Sequence, residues 1–245
     1  MTQNIYDDDT FFAAYSQLPR SVEGLDGAPE WPSLQALLPA LDGRRVADLG
    51  CGFGWFCRWA AQQGAVAVLG IDVSDKMLAR ARMMTADAAI AYRQQDLERL
   101  DLPDGAFDLV YSSLALHYIA DLDRLLSVVA RALVPGGALV FSIEHPIQTA
   151  PTKPGWSVDL QGGKAWPVNH YFDEGERRTD WLTEGVIKQH RTLARYLNML
   201  IGFGLALRHV EEWSPSAAQA AAHPEWTGER ERPFFLLVAA GKPGA

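Results

Sequence analysis

"RRVADLGCGFGWF", residues 44–56, decides how this chain is read. Val46, Ala47 and Leu49 make a short apolar run around Asp48. Glycines follow at positions 50, 52 and 54, and Trp55 and Phe56 open the next segment. A buried strand, a glycine turn and a helix start in that order are the opening of a parallel α/β unit. Outward from it the alternation continues. "GWFCRWAAQQGA" (54–65) has helical spacing and stops at Gly64. "VAVLGIDVS" (66–74) reads as a second strand, and "SDKMLARARMMTADA" (74–88) as a helix capped by Ser74. "IAYRQQDLERL" (90–100) holds a third strand and its loop. "FDLVYSSLAL" (107–116) is a fourth strand, "DLDRLLSVVARALVPGG" (121–137) a helix ending at the Pro-Gly-Gly, and "ALVFSIEHP" (138–146) a fifth strand. Strands alternating with helices imply a doubly wound, mostly parallel sheet with helices on both faces. Ligands of such sheets sit at the carboxyl ends of the strands.

The flanks are less regular. In the lead-in, residues 1–43, "DTFFAAYSQL" predicts a helix capped by Asp9 or Thr10 and ended by Pro19, and "EWPSLQALLPAL" predicts a second short helix. Residues 146–180 are rich in Gly, Pro and Trp and carry little periodicity, the mark of a functional loop or a disordered one. "WLTEGVIKQHRT" then predicts a strand, and Thr192 caps the helix "LARYLNMLIGFG". "LALRHVEEW" and "PFFLLVAAGK" predict two last strands, joined by residues 214–232, where "SAAQAAAHP" is a short helix. The expected organisation is a single domain over 1–245: an N-terminal helical lid (1–43), a ligand-binding core (44–145), an insert (146–190), and a C-terminal helix with two strands (191–245).

Composition bounds the partners. Of 245 residues, 48% are hydrophobic and 21% charged, and the formal net charge is -8. An acidic balance argues against nucleic acid or an anionic membrane as partner. No apolar run reaches bilayer-spanning length, and the acidic "MTQNIYDDDTFF" lacks the basic and apolar regions of a secretory signal. Cys51 and Cys57 fit no zinc spacing and read as reduced thiols of a cytoplasmic protein, and no metal site is expected.

A dinucleotide site is the first candidate for the glycine turn. Its fingerprint is G-x-G-x-x-G with pyrophosphate on the helix N-terminus. Here the third glycine, Gly54, comes one residue early, and Trp55 takes its place. Asp48 beside the turn would repel pyrophosphate and favour a ligand with an ammonium and a sulfonium. S-adenosylmethionine is such a ligand, and Gly50, Cys51, Gly52 and Gly54 would let backbone approach its methionine part. Asp72, followed by Val73, closes the second strand, where an acid can hold both ribose hydroxyls. Asp96 is placed to accept from the adenine amino group, with Leu97 and Met77 packing the ring. Ser112 and Ser113 close the fourth strand under the methionine end.

Taken together, "VADLGCGFG", "LGIDVSDKML", "RQQDLERLDLPDGAFDLVYSSLALHYI" and "LVPGGALVFSIEHP" resemble the class I S-adenosylmethionine-dependent methyltransferases of the small-molecule, methyltransferase type 11-like kind. The resemblance is strong over 40–145 and loose in the tail. It implies a Rossmann-like seven-stranded sheet, parallel except for an antiparallel last strand lying between five and six, with an insert or lid after strand five. It also implies that Tyr15 and Arg20, in "FFAAYSQLPRSVEGL", reach the methionine carboxylate. The implied reaction moves a methyl group to an O, N or C atom of a small molecule and leaves S-adenosylhomocysteine. Such an in-line displacement needs a general base only when the nucleophile carries a proton that must leave early. His117 and His145, at the ends of strands four and five, are the candidate catalytic residues; Tyr118 reads as packing. His170, Tyr171 and His190 either form a substrate lid or pack a surface hairpin, and Arg177, Arg178, Lys188 and Arg191 are candidates to recognise a substrate carboxylate. Trp213 and Trp226 wall the pocket or pack beneath it. Two alternatives stay open: a non-catalytic S-adenosylmethionine-binding regulator and a dinucleotide-dependent reductase. Monomer and homodimer are both compatible with the sequence.

Overall fold

The computed structural model describes residues 3–244. Helices α1 (Asp9–Tyr15), α2 (Pro19–Val22) and α3 (Trp31–Ala36) lead into β1 (Arg45–Leu49), α4 (Trp55–Gln62), β2 (Ala67–Asp72), α5 (Asp75–Met83), β3 (Ile90–Gln94), β4 (Phe107–Ser113), α6 (Leu122–Ala132) and β5 (Leu133–Glu144). The insert holds α7 (Pro146–Thr149), the short strands β6 (Ser157–Val158) and β7 (Lys164–Ala165), and a hairpin of β8 (Gly175–Trp181) and β9 (Thr183–His190). The chain closes with α8 (Leu193–Gly202), β10 (Ala206–Trp213), α9 (Ala217–Ala222) and β11 (Phe235–Gly241).

Seven strands form one sheet in the order β10-β11-β5-β4-β1-β2-β3. The five strands from β1 to β5 run parallel, and β11 lies antiparallel between β5 and β10. This is the Rossmann-like, seven-stranded arrangement that the motifs imply. Alternate side chains enter opposite core layers, as strand geometry requires. Val46, Leu109, Tyr111 and Leu237 join Trp31, Leu34, Phe56 and Ala60 on the α3–α4 face. Ala47, Leu49, Val110 and Leu236 join Leu122, Leu125, Met199 and Leu200 on the α6–α8 face. By the same alternation Asp48 points to the α4 side.

Several boundaries differ from the sequence reading, each for a local reason. The cap of α1 is Asp8, whose carboxylate accepts from Phe11 N at 2.9 Å, rather than Asp9 or Thr10. Pro19 starts α2 instead of ending α1, because a proline at the first helical position gives up only an amide that would be unbonded there. α6 stops at Ala132, and β5 begins at the fully buried Leu133 and runs through the Pro-Gly-Gly. Residues 150–174 are as irregular as their composition suggests, apart from the two-residue strands β6 and β7; regular structure in the insert is α7 at its start and the β8–β9 hairpin at its end. Leu182, at φ +60°, turns that hairpin.

Candidate functional site

A cavity of about 340 Å³ lies at the carboxyl ends of the parallel strands. A smaller one of about 100 Å³ adjoins it, and both are walled by Tyr15, Arg20, Gly50, Gly52 and Ser113. The glycine turn between β1 and α4 separates them. Gly50 N and Cys51 N donate to Ile71 O at 2.8 and 3.0 Å, and Gly52 N donates to Asp72 Oδ2 at 2.9 Å. Gly52 has φ +52°, and a Cβ built there meets nothing within 4 Å. Its open side is cavity, the space in which a ligand could come against backbone. Gly54 has another reason to be glycine. It has φ +71°, its Cβ would fall 2.1 Å from the Tyr92 hydroxyl, and it lies outside both cavity walls.

Three carboxylates stand around this turn. Asp48 is buried, accepts a hydrogen bond from Cys57 Sγ at 3.3 Å, and borders the smaller cavity together with Cys51. Burial, with the Asp72 charge nearby, pushes its pKa up to about 7. Asp72 accepts from Gly52 N and from Ser74 N, both at 2.9 Å, so it also fixes the turn to the end of β2. Burial raises its pKa as well. Asp96 caps the turn after β3, accepting from Glu98 N at 2.9 Å, and lines the larger cavity with Val73, Met77 and Leu97. The wall therefore alternates acids with an apolar shelf. That suits a ligand with hydroxyls, a flat ring and positive charge, and it disfavours a pyrophosphate.

At the other side of the turn, Arg20 donates through Nη2 to both oxygens of the buried Glu30, at 3.1 and 3.2 Å. Tyr15 and Trp55 share this end. The Trp55 Nε1 is buried without a hydrogen-bond partner among the described residues. A buried donor left unpaired is costly and marks a place where a ligand acceptor fits. The donor set of Arg20 and Trp55 matches a carboxylate. The two cavities together therefore fit a ligand with a carboxylate at one end and a flat, hydroxyl-bearing ring system at the other.

The remaining wall of the larger cavity is aromatic. Tyr6, Tyr118, Trp181, Phe234 and Phe235 surround His117 and Glu144. The His117 ring is buried, and its Nδ1 accepts from Glu144 N at 3.4 Å. Burial drives its pKa down to about 4, so the ring is neutral. With Nδ1 accepting, its hydrogen sits on Nε2. Glu144 pairs with the buried Lys188, Nζ to Oε1 at 2.5 Å. The Lys188 charge holds the carboxyl below its usual range in spite of burial.

Other candidates lie elsewhere. Ser112 donates to Leu49 O at 2.7 Å and is buried, whereas Ser113 faces the cavities. His145 borders neither cavity. Its Nδ1 accepts from Ile147 N at 3.1 Å as the cap of α7, and its Nε2 is 2.9 Å from Glu212. Strand parity explains both corrections, since neighbouring residues point to opposite faces. Tyr118, expected only to pack, lines the cavity. His190 is spent on Thr149 and the Tyr171 carbonyl, and His170 on Asp173. Trp213 stacks on Phe235 and Trp226 on His223. Sequence reasoning missed Glu144, Trp181, Phe234, Gln3, Ile5 and Tyr6. Glu144 was within reach of it: placing Ser113 and Ser142 side by side, their hydroxyls 3.2 Å apart, puts the residue two positions on from Ser142 on the same face. No group of three or more His, Cys, Asp and Glu among the described residues could hold a metal ion.

Comparison with known proteins agrees with this geometry. The Methyltransferase domain family matches residues 47–141. A crystal structure of an S-adenosylmethionine-dependent methyltransferase from Mesorhizobium loti is 56% identical and superposes with a TM-score of 0.86, covering 89% of this chain and all of that one. An uncharacterised protein of Haemophilus influenzae is 34% identical over 98% of this chain and 97% of its own. The malonyl-[acyl-carrier protein] O-methyltransferase of Pectobacterium atrosepticum is 41% identical over 109 residues, so that match spans 44% of this chain and 42% of the relative. The chain belongs to the class I S-adenosylmethionine-dependent methyltransferases.

Proposed function

We propose that this methyltransferase methylates an oxygen, nitrogen or carbon atom of a small molecule bound at the aromatic end of the larger cavity. One observation carries the reading. A single cavity joins the wall of Gly52, Asp72, Met77 and Asp96 to that of Tyr118, Glu144 and Trp181. Its size is in the range of small-ligand sites.

S-adenosylmethionine, when bound, supplies a methyl group made electrophilic by its sulfonium. The protein's share is placement and exclusion of water. Asp72 and Asp96 accept from hydroxyl and amino groups. Val73, Met77 and Leu97 pack a flat ring. Arg20 and Trp55 hold a carboxylate, and Asp48 offsets a nearby cation. At the acceptor end, His117 serves as a hydrogen-bond donor through Nε2 rather than as a base, because its other nitrogen is occupied and its pKa is low. Glu144 offers an acceptor oxygen.

Calorimetric titration with S-adenosylhomocysteine, beside NAD(H) and NADP(H), tests the reading. Micromolar binding of the homocysteine compound alone, lost in Gly52→Ala, is the expected result. Nicotinamide nucleotide binding without it would restore the reductase.

A further inference from the structure

The sequence offers four cations to an acceptor carboxylate, and none of them lines the larger cavity. Arg177 donates to the carbonyls of Ala150, His170, Asp173 and Glu176. Arg178 pairs with Glu176 at 2.9 Å. Arg191 donates through Nη2 to Ile119 O and Ala120 O, both at 2.7 Å; its buried Nη1 has no partner among the described residues but borders none of the three cavities. Lys188 is buried, bound to Glu144, with its Nζ 5.3 Å from the centre of the Trp181 ring. Among the described residues the one Lys or Arg on the larger cavity wall is Arg20, which stands at the end shared with the smaller cavity and is already paired with Glu30.

Glu144 is differently placed. A further cavity of about 160 Å³ opens on the insert side, and Glu144, Trp181 and Phe234 belong to both its wall and that of the main cavity. Lys188 occupies Oε1, and no hydrogen bond reaches Oε2 among the described residues. The acceptor end of the larger cavity therefore presents one carboxylate oxygen, one imidazole and a ring of aromatics, with no cation among the described residues that line it there.

We propose, resting on the methyltransferase reading, that Glu144 selects the acceptor: a flat aromatic molecule whose hydroxyl or amino group donates to Oε2. Tyr118, Trp181 and Phe234 supply faces for the ring. A hydrogen bond to an ionised partner in a desolvated site is strong. A carboxylate-bearing acceptor would bring like charge against Glu144. Lys188 keeps the carboxyl ionised and fixes its direction, which makes it a positioning residue.

Ligand-observed NMR with catechol, aniline and benzoate tests this on protein saturated with S-adenosylhomocysteine. Wild type should bind catechol and aniline about tenfold or more tighter than benzoate. Glu144→Gln should erase that preference, and Glu144→Asp should keep its direction. Benzoate binding as tightly as the other two overturns the proposal. So does an unchanged preference in Glu144→Gln, or binding of none of the three. Binding of S-adenosylhomocysteine is measured first on each protein, and its absence in wild type defeats the methyltransferase reading instead. Should Glu144→Gln fail to fold, Lys188→Met takes its place, with the same loss of preference expected.

Discussion

Asp48 shows what one residue contributes and what it costs. Its pKa in the ligand-free fold is about 7, raised from an ordinary 3.8, so folding favours the protonated form. Stability tied to that form is whole below about pH 4 and is lost as pH rises through 7. Asp48→Asn keeps the partner of Cys57 without the charge. It should leave stability unchanged at pH 4 and raise it at pH 8, by up to about 4 kcal/mol, in urea unfolding followed by fluorescence. The same variant should bind S-adenosylhomocysteine about tenfold more weakly at pH 8, because the ligand's ammonium loses its counter-charge. In wild type, binding at pH 6 should release protons, seen as a buffer-dependent heat. His117 makes the opposite case. Its pKa of about 4 predicts that NMR finds no titration of this ring above pH 5, with the hydrogen on Nε2 throughout. A midpoint near 6.5 would return the ring to the role of base.

Among the elements, the turn after β1 separates two uses of glycine. Gly52→Ala places a methyl group in the cavity, at a backbone angle that costs about 1 kcal/mol. It should fold and lose most affinity for S-adenosylhomocysteine. Gly54→Ala drives a methyl group into the Tyr92 hydroxyl and should lose several degrees of Tm before any binding is measured. Spacing alone shows three equivalent glycines; the difference lies in what a remote strand, β3, puts against the third. That marks the reach of the sequence in general. Alternation along 44–146 announces the sheet, and the acids at its strand ends announce the walls of the two cavities, because both are local patterns. Ser112 against Ser113 and His145 against Glu144 are questions of parity, settled by register with neighbouring strands. β9 lies within the strand that "WLTEGVIKQHRT" announces, but its partner β8 escapes, because its exposed face is polar and the turn between them uses Leu182 at positive φ in place of a glycine. The acceptor-side wall draws on positions as far apart as Tyr6 and Phe235, a combination no window of sequence contains.

For the molecule as a whole, residues 3–20 and the insert meet over the cavity. Asp7 accepts from Ser74 Oγ at 2.6 Å and from Lys76 N at 3.2 Å at the start of α5, and Lys76 also pairs with Asp9. Gln3 spans to the hairpin, donating to Gly185 O at 3.0 Å and accepting from Ile187 N at 2.8 Å. Hydrogen exchange should slow over 3–20 and 183–190 when S-adenosylhomocysteine binds, and Asp7→Ala should reduce that protection while speeding ligand release. Gln3 treats the hairpin as a neighbouring strand would, so the N-terminal segment and the hairpin over the acceptor end are tied by this side chain, beside the edge contacts of Phe11 and Tyr15 with Trp181. Steady-state kinetics should register that tie as an obligatory order. The methyl donor enters first, and its demethylated product leaves last. S-adenosylhomocysteine then inhibits competitively against the donor and non-competitively against the acceptor, and Gln3→Ala moves the scheme toward random entry.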